Sequence, residues 1–467
     1  MPTRISLRFL FWLAVAAMLV SGPTAGPAGG QGVSVQLPTF GVAIDAEGVL
    51  AVKTFEDPTG QLAAVRRQAA KARLPRELRA KSPLRKVSLV RLEAAVGAQL
   101  AAGKQPDEAM RCLAGLERLQ YVFFLPETKD IVLAGPAEGF AADLSGRVCG
   151  LTSGRPVLEL QDLVVALRAY GQGRPAEGFV GCTIDPEPAA MTRLQEFQRT
   201  VPHAVAEAQR QEVGRRIAEG MRAALGLAPI RVFGIPADSH FAQVLVEADY
   251  RMKLIGLGLE RPPVRLASYF ELLGGAGLRT NALQRWWFTP NYECVKVSAD
   301  RLAMELVGEG VQLLTEAKLI GADGQLKSGA PGNHASETFT EGFTRKYPEL
   351  AQRVPVYAQL RNAIDMLVAA AFLRQEGYAA KASWQMAVFG NESAMPVRTG
   401  PALRRAPAAV NAAWRGSRFL AAAGGGVTIR AEQALAAERL QGDKDGKLGQ
   451  ARAKAADGVP PDRWWWD

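Results

Sequence analysis

Histidine is scarce in this sequence. His203, His240 and His334 are the only three. None stands in an HExxH array and no two have ligand spacing, which argues against a His-based zinc site. No GxSxG elbow occurs, so the usual α/β-hydrolase nucleophile is missing. Ser239 and His240 are adjacent at a helix start, where neighbouring side chains diverge. A hydrolase would have to assemble distant residues, for instance Cys182 with His203. GGAG at Gly274–Gly277 follows the helical ASYFELL rather than a strand, so it reads as a helix stop and not a phosphate loop. DKDG at Asp443–Gly446 fails as a calcium loop: with Gly446 in the sixth position, the first is Gln441 and the twelfth Arg452. These absences leave no metal and no cofactor to expect.

Long apolar runs are missing as well. The N-terminal run Phe9 to Val20, preceded by Arg4 and Arg8, is shorter than the roughly 20 residues a bilayer span needs. It is followed by small and helix-breaking residues, the layout of a secretory signal peptide, with cleavage expected between Ala25 and Gln31. The alternative is a retained N-terminal anchor. No later run reaches membrane-spanning length without charges. The reading is therefore of an exported protein, periplasmic or extracellular after signal removal, in an oxidising compartment that permits disulfides. Four cysteines, Cys112, Cys149, Cys182 and Cys294, allow three pairings. Cys149 in GRVCG and Cys182 in FVGCTID lie on short Gly-flanked strand-like runs and are the favoured pair. Four buried thiols acting as small hydrophobes are the alternative.

Acidic residues are nearly absent between Val65 and Leu92. Arg66, Arg67, Lys71, Arg73, Arg76, Arg79, Lys81, Arg85, Lys86 and Arg91 face only Glu77 there. Such a run is ordinarily a solvated face or linker. The functional alternative is attachment to an acidic polymer or an anionic membrane surface, with Arg66, Arg67, Arg73 and Arg79 as binding residues. Export argues against nucleic acid as partner.

The remaining pattern mixes hairpins and helices. FGVAIDAEGVLAVKTF alternates about a DAEG turn, and YVFFLPETKDIVLAG about ETKD. VSLVRLEAAVGAQLAAG and LQDLVVALRAY have helical spacing. Asp238 or Ser239 caps a helix whose apolar stripe is Phe241, Val244, Leu245, Ala248 and Met252. On its polar side Glu247 with Arg251 and Asp249 with Lys253 read as surface pairs. In QRWWFTPNYECVKVSADRLAMELV, Trp286 and Phe288 share a strand face and Trp287 takes the other. A reversal at SADR pairing Val297 with Leu302 places Val295, Val297, Leu302, Met304 and Leu306 on one buried face. A wet opposite face would leave one tryptophan partly exposed, to anchor a helix or to stack on a sugar or peptide.

The expected fold is α+β. A signal peptide, 1–30, precedes an N-terminal domain, 31–200, and a C-terminal domain, 201–376. An irregular extension, 377–435, and a flexible low-complexity tail, 436–467, follow. The tail closes on Trp464, Trp465 and Trp466, too much apolar surface to leave uncovered. It is expected to dock on the protein's own surface, for instance beside Trp286 and Trp287, or on an envelope partner.

VSLVRLEAAVGAQLAAG, MRCLAGLERLQYVFFLP, GRPVLELQDLVVALRAY, GCTIDPEPAAMTRLQEF, ADSHFAQVLVEADYRMKLIGLGLE and RWWFTPNYECVKVS together resemble a family of exported planctomycete proteins catalogued as a domain of unknown function. The resemblance implies export and a bacterial envelope setting, and it carries no catalytic residues. The reading that results is a non-enzymatic binding or scaffold component of the cell envelope. The alternative is a hydrolase of an envelope polymer using carboxylates such as Asp185, Asp238 or Asp249. A site on Asp249, Tyr250 and Lys253 belongs to that alternative.

Overall fold

The computed structural model of the protein describes residues 39–171, 173, 175–202, 205–273, 281–316, 334–415, 417–460 and 462–467. The signal segment, His203 and the GGAG stretch lie outside the described residues. In chain order, the hairpin β1 (Thr39–Ile44) and β2 (Leu50–Phe55) leads to α1 (Gln61–Arg73), β3 (Ser82–Ser88) and α2 (Leu89–Ala101). Next come β4 (Tyr121–Leu125), β5 (Asp130–Ala137), β6 (Phe140–Ala142), β7 (Val148–Gly150), α3 (Leu160–Ala166) and β8 (Val180–Ile184). The middle of the chain forms α4 (Pro188–Thr200), α5 (Arg210–Leu225), β9 (Leu227–Phe233) and α6 (His240–Gly256). Four strands follow: β10 (Asn281–Pro290), β11 (Val295–Val297), β12 (Ala303–Leu306) and β13 (Val311–Thr315). The helices α7 (His334–Arg353) and α8 (Pro355–Gln375) precede β14 (Arg405–Pro407), β15 (Ala409–Arg415) and β16 (Ser417–Ile429). Last are β17 (Gln441–Gly442), α9 (Lys447–Ala456) and β18 (Trp465–Trp466).

Two seven-stranded sheets organise the α+β fold. One runs β13-β10-β16-β8-β9-β14, with β15 also on β16, and the other runs β17-β11-β12-β4-β5-β3-β18. Strands from both sides of Thr200 share each sheet, because β8 pairs β9 and β4 pairs β12. The expected boundary there is crossed by backbone hydrogen bonds, and Pro38–Asp467 forms one compact unit.

The DAEG and ETKD turns form as the alternation predicts, pairing Ile44 with Leu50 and Leu125 with Asp130. At SADR the pairing is Val297 with Met304 rather than Leu302. The shift is two residues, so every side chain keeps its face: Val295, Val297, Met304 and Leu306 are buried, while Lys296 and Glu305 form a 3.4 Å ion pair on the other side.

The core gathers around α6, α7 and α8. By length and composition α8 could cross a membrane, yet it is buried from Val356 to Leu373 and lies in the core. Trp286 is fully buried, packed on Tyr269 and Phe339, with its indole N–H donating to Ser336 Oγ at 2.8 Å. Gly256 lets it in: a Cβ there would lie 2.5 Å from the indole ring. Phe288 continues the cluster onto Phe343, Tyr347 and Tyr357. Trp287 takes the opposite face, as expected, but it too is buried, with the Arg285 guanidinium 5.5 Å from its ring. Neither ring of the pair is a stacking platform.

The apolar stripe of α6 is buried as expected, but the polar side does not lie on the surface. Glu247, Asp249, Arg251 and Lys253 are all buried. Lys253 Nζ donates to Asp249 at 2.6 Å and to the carbonyls of Ile184 and Gly425, which ties the helix to β8 and β16. Arg251 pairs Glu260 at 2.7 Å. A central helix can carry i, i+4 charges inward when each finds a partner.

Residues 436–467 are not a flexible tail. α9 lies against β4 and β12, where Leu448 and Ala455 join Phe123, Leu125, Val132, Ala303 and Trp466 in a small core. β17 and β18 flank opposite edges of the sheet. A segment poor in large apolar residues orders here because backbone pairing and a few well-placed contacts suffice.

Candidate binding surface

α1 has the sequence QLAAVRRQAAKAR, rich in alanine and without a single acid. Asp57 accepts from the backbone N–H of Ala63 at 2.9 Å and so holds the first turn; the helix stops before Pro75. Within it only Ala70 is buried, and Ala63 is half-buried. The following turn is anchored by Leu74 and Leu78. Leu62 and Val65 are exposed to 58% and 64%, two of the five exposed large apolar side chains among the described residues. Arg66, Arg67, Lys71, Arg73, Arg76, Arg79 and Lys81 are exposed around them. Arg73 reaches Glu108 at 2.7 Å, Arg79 donates to the Lys71 carbonyl at 2.8 Å, and Arg66 donates to the Asp143 carbonyl. Two of those three contacts use neutral carbonyls and cancel no charge. The expected binding residues Arg66, Arg67, Arg73 and Arg79 therefore do share one exposed basic region.

The rest of the basic run does not. Arg85 is completely buried: it donates to the carbonyls of Ala114 (2.8 Å), Leu78, Glu77 and Ala80, and pairs Asp467 at 2.8 Å. Lys86 is buried, and Arg91 lies 3.4 Å from Asp130. What covers them is the tryptophan cluster. Trp465 pairs Val87 and Trp466 pairs Lys86, the Trp464 carbonyl accepts from Ser88 N–H at 2.8 Å, and Arg85 stacks 4.8 Å from the Trp465 ring. Trp464 and Trp465 are half-buried and Trp466 is buried. The docking expected of this segment occurs on the protein itself. Its place is the edge of β3, not Trp286 and Trp287, because an open strand edge offers backbone partners that a buried tryptophan pair does not.

Of the carboxylates of the alternative reading, Asp185 and Asp249 meet about Lys253 and Gly425, but each is held by a cation. Asp249 is sealed in the core, where burial raises its pKa to about 6 against the opposing pull of Lys253. For Asp185 burial works upward, but the Arg285 fork at 2.8 Å and the Gly425 N–H outweigh it and hold the carboxyl below its ordinary range. Asp238 sits near Arg398 at 3.7 Å, and its backbone carbonyl accepts from Thr399 and Gly400. The four cysteines are free and buried. Cys149 and Cys182 occupy strands of different sheets, so the favoured disulfide is absent. Burial pushes each thiol up, away from nucleophilic thiolate.

Two polar clefts went unread in the sequence, since their residues come from distant segments. One, of about 250 Å³, is lined by His240, Arg147, Glu159, Glu247 and Gln359. His240 Nδ1 faces Asp162 at 2.9 Å and Nε2 lies 3.8 Å from Glu159. Burial lowers the imidazole pKa, but the carboxylates outweigh it and raise it to about 10. An imidazolium so held is no general base at neutral pH. The other cleft, of about 340 Å³, alternates Glu117, Glu305 and Glu309 with Arg118, Arg155 and Arg361. Glu309 is tied to Arg361 at 3.0 Å and Glu305 to Lys296, while burial pushes Glu117 up despite the Ser153 hydroxyl that donates to it. Among the described residues no group of three or more His, Cys, Asp or Glu is placed to hold a metal ion.

No curated protein and no solved structure matches the chain. Residues 182–269, from β8 through α6 to the helical turn at Tyr269, match a family described as a protein of unknown function (DUF1598).

Proposed function

We propose that the protein is an exported, non-enzymatic binding component of a bacterial cell envelope, and that it adheres to an anionic surface through α1 and the basic turn after it. The observation that carries this reading is the exposed helix itself, whose cations stand almost unopposed on a surface held in place by Leu74 and Leu78. The charged N-terminal segment with its short apolar run and small-residue stretch supports export. The resemblance to exported planctomycete proteins supports the envelope setting. A hydrolase reading has less support, since Asp185 and Asp249 are locked in ion pairs and His240 is clamped between two carboxylates.

The test is retention on immobilised heparin and on anionic vesicles as salt is raised. Retention should fall with salt and fall further in an Arg66→Glu, Arg67→Glu, Lys71→Glu variant. Wild-type retention in that variant would sink the reading. For export, the mature N-terminus should begin between Ala25 and Gln31, and a mature protein beginning at Met1 would overturn that part.

A further inference from the structure

We propose that the anionic surface is a lipid bilayer and that α1 lies in its interface, an inference that rests on the adhesive role given to α1 above. The direction of the helix carries it. Leu62, Val65, Ala69 and Ala72 recur at i, i+3, i+7 and i+10 and form one stripe, and all four are exposed. The helix packs on the protein by another side, through Ala63 and Ala70. Its apolar stripe, bordered by Gln61 and Gln68, is thus turned outward. Arg66 and Arg73 lie along one flank; Lys71 lies beyond Gln61 and Gln68 on the other, and Arg67 is on the side away from the stripe.

Such a helix suits an anionic bilayer better than the other occupants. An acidic glycan would use the cations but gains little from an outward Leu62 and Val65. A second copy of α1 would set cation against cation, because the helix has no acid. At a bilayer the stripe enters the boundary between headgroups and acyl chains, and Arg66 and Arg73 beside it extend sideways to lipid phosphates. α1 is too short and too charged to span, so it lies on the surface.

The experiment places an environment-sensitive fluorophore on a Val65→Cys variant of the full chain; the four native cysteines are buried and do not compete. With vesicles containing phosphatidylglycerol the emission should shift to the blue. With phosphatidylcholine vesicles or heparin it should not. In unlabelled protein, Leu62→Ser with Val65→Ser should weaken binding to phosphatidylglycerol vesicles about tenfold. Arg66→Gln with Arg73→Gln should weaken it about thirtyfold. Thermal stability should change little in either, since Leu62 and Val65 are exposed and the contacts of Arg66 with the Asp143 carbonyl and of Arg73 with Glu108 are surface ones.

Binding to the anionic vesicles without a blue shift, or undiminished in the serine variant, would overturn the bilayer inference and leave anionic adhesion standing. A blue shift in concentrated protein without vesicles would assign the stripe to a second copy and also overturn it. Retention on neither heparin nor anionic vesicles at low salt would remove both readings.

Discussion

Arg66–Lys81 and Arg85–Arg91 belong to one basic run broken only by Glu77, and the structure uses them in opposite ways. The first part stands in water on a helix and a turn that touch the protein by few side chains. In the second, Arg85 and Lys86 are strand interior, with Arg85 satisfying four backbone carbonyls and a carboxylate, while Arg91 in the first turn of α2 lies 3.4 Å from Asp130. Charge in the first part is available to a partner; in the second it is consumed by the fold. The comparison shows that a cation's role is set by what its backbone is doing. A helix attached by Ala63 and Ala70 leaves long side chains free, whereas a strand paired on both edges and covered on both faces buries neighbours that point opposite ways, Arg85 and Lys86 alike.

The sharpest way to break the contrast is to delete Arg463–Asp467. This uncovers β3, loses the burial of Trp466 and strands Arg85 without its carboxylate, so unfolding free energy should drop by about 4 to 5 kcal/mol, read from denaturant melts. Arg85→Ala should cost about 3 kcal/mol, since buried carbonyls lose their donor. A cost near that of a surface substitution would show that the two halves of the run are alike after all.

Asp467→Asn should cost about 1 kcal/mol at neutral pH, a modest figure because the carboxyl is 43% exposed and screened. Burial pushes the Asp467 carboxyl up but Arg85 and Ser82 outweigh it, so its folded pKa lies below the ordinary 3.8. Its contribution is therefore complete above that value and lost as pH falls through the folded pKa. The difference in melting temperature between wild type and Asp467→Asn should close over that acid range. The smallest effect belongs to the exposed half: Arg66→Gln with Arg67→Gln should change stability by less than about 0.5 kcal/mol.

Much of the local structure was legible. The DAEG and ETKD hairpins follow from alternation and turn residues, and the stripe on α6 from helical spacing. The polar side of α6 was not, because Glu247–Arg251 and Asp249–Lys253 show the same spacing whether they face water or one another in a core. The last stretch misled in a similar way. Its Ala, Lys, Asp and Gly suggest disorder, yet Leu448, Ala455 and Trp466 land on prepared positions. For α1 the sequence shows the cations; that an apolar stripe runs beside them and points outward emerges only from the fold.

The clasp at β3 has a bearing on how the protein reaches its native state. The hydrogen bonds between Arg85 and Asp467 join residues 382 positions apart, and the other edge strand, β17, also comes after every strand that it borders in the chain. Neither contact is available to a local nucleus, and both follow a large loop closure. Sheet completion is accordingly a late event in folding. Until it happens β3 and β11 present unpaired edges, the form most open to capture by another chain. Refolding yield should therefore depend more on protein concentration than on the intrinsic speed of the helices.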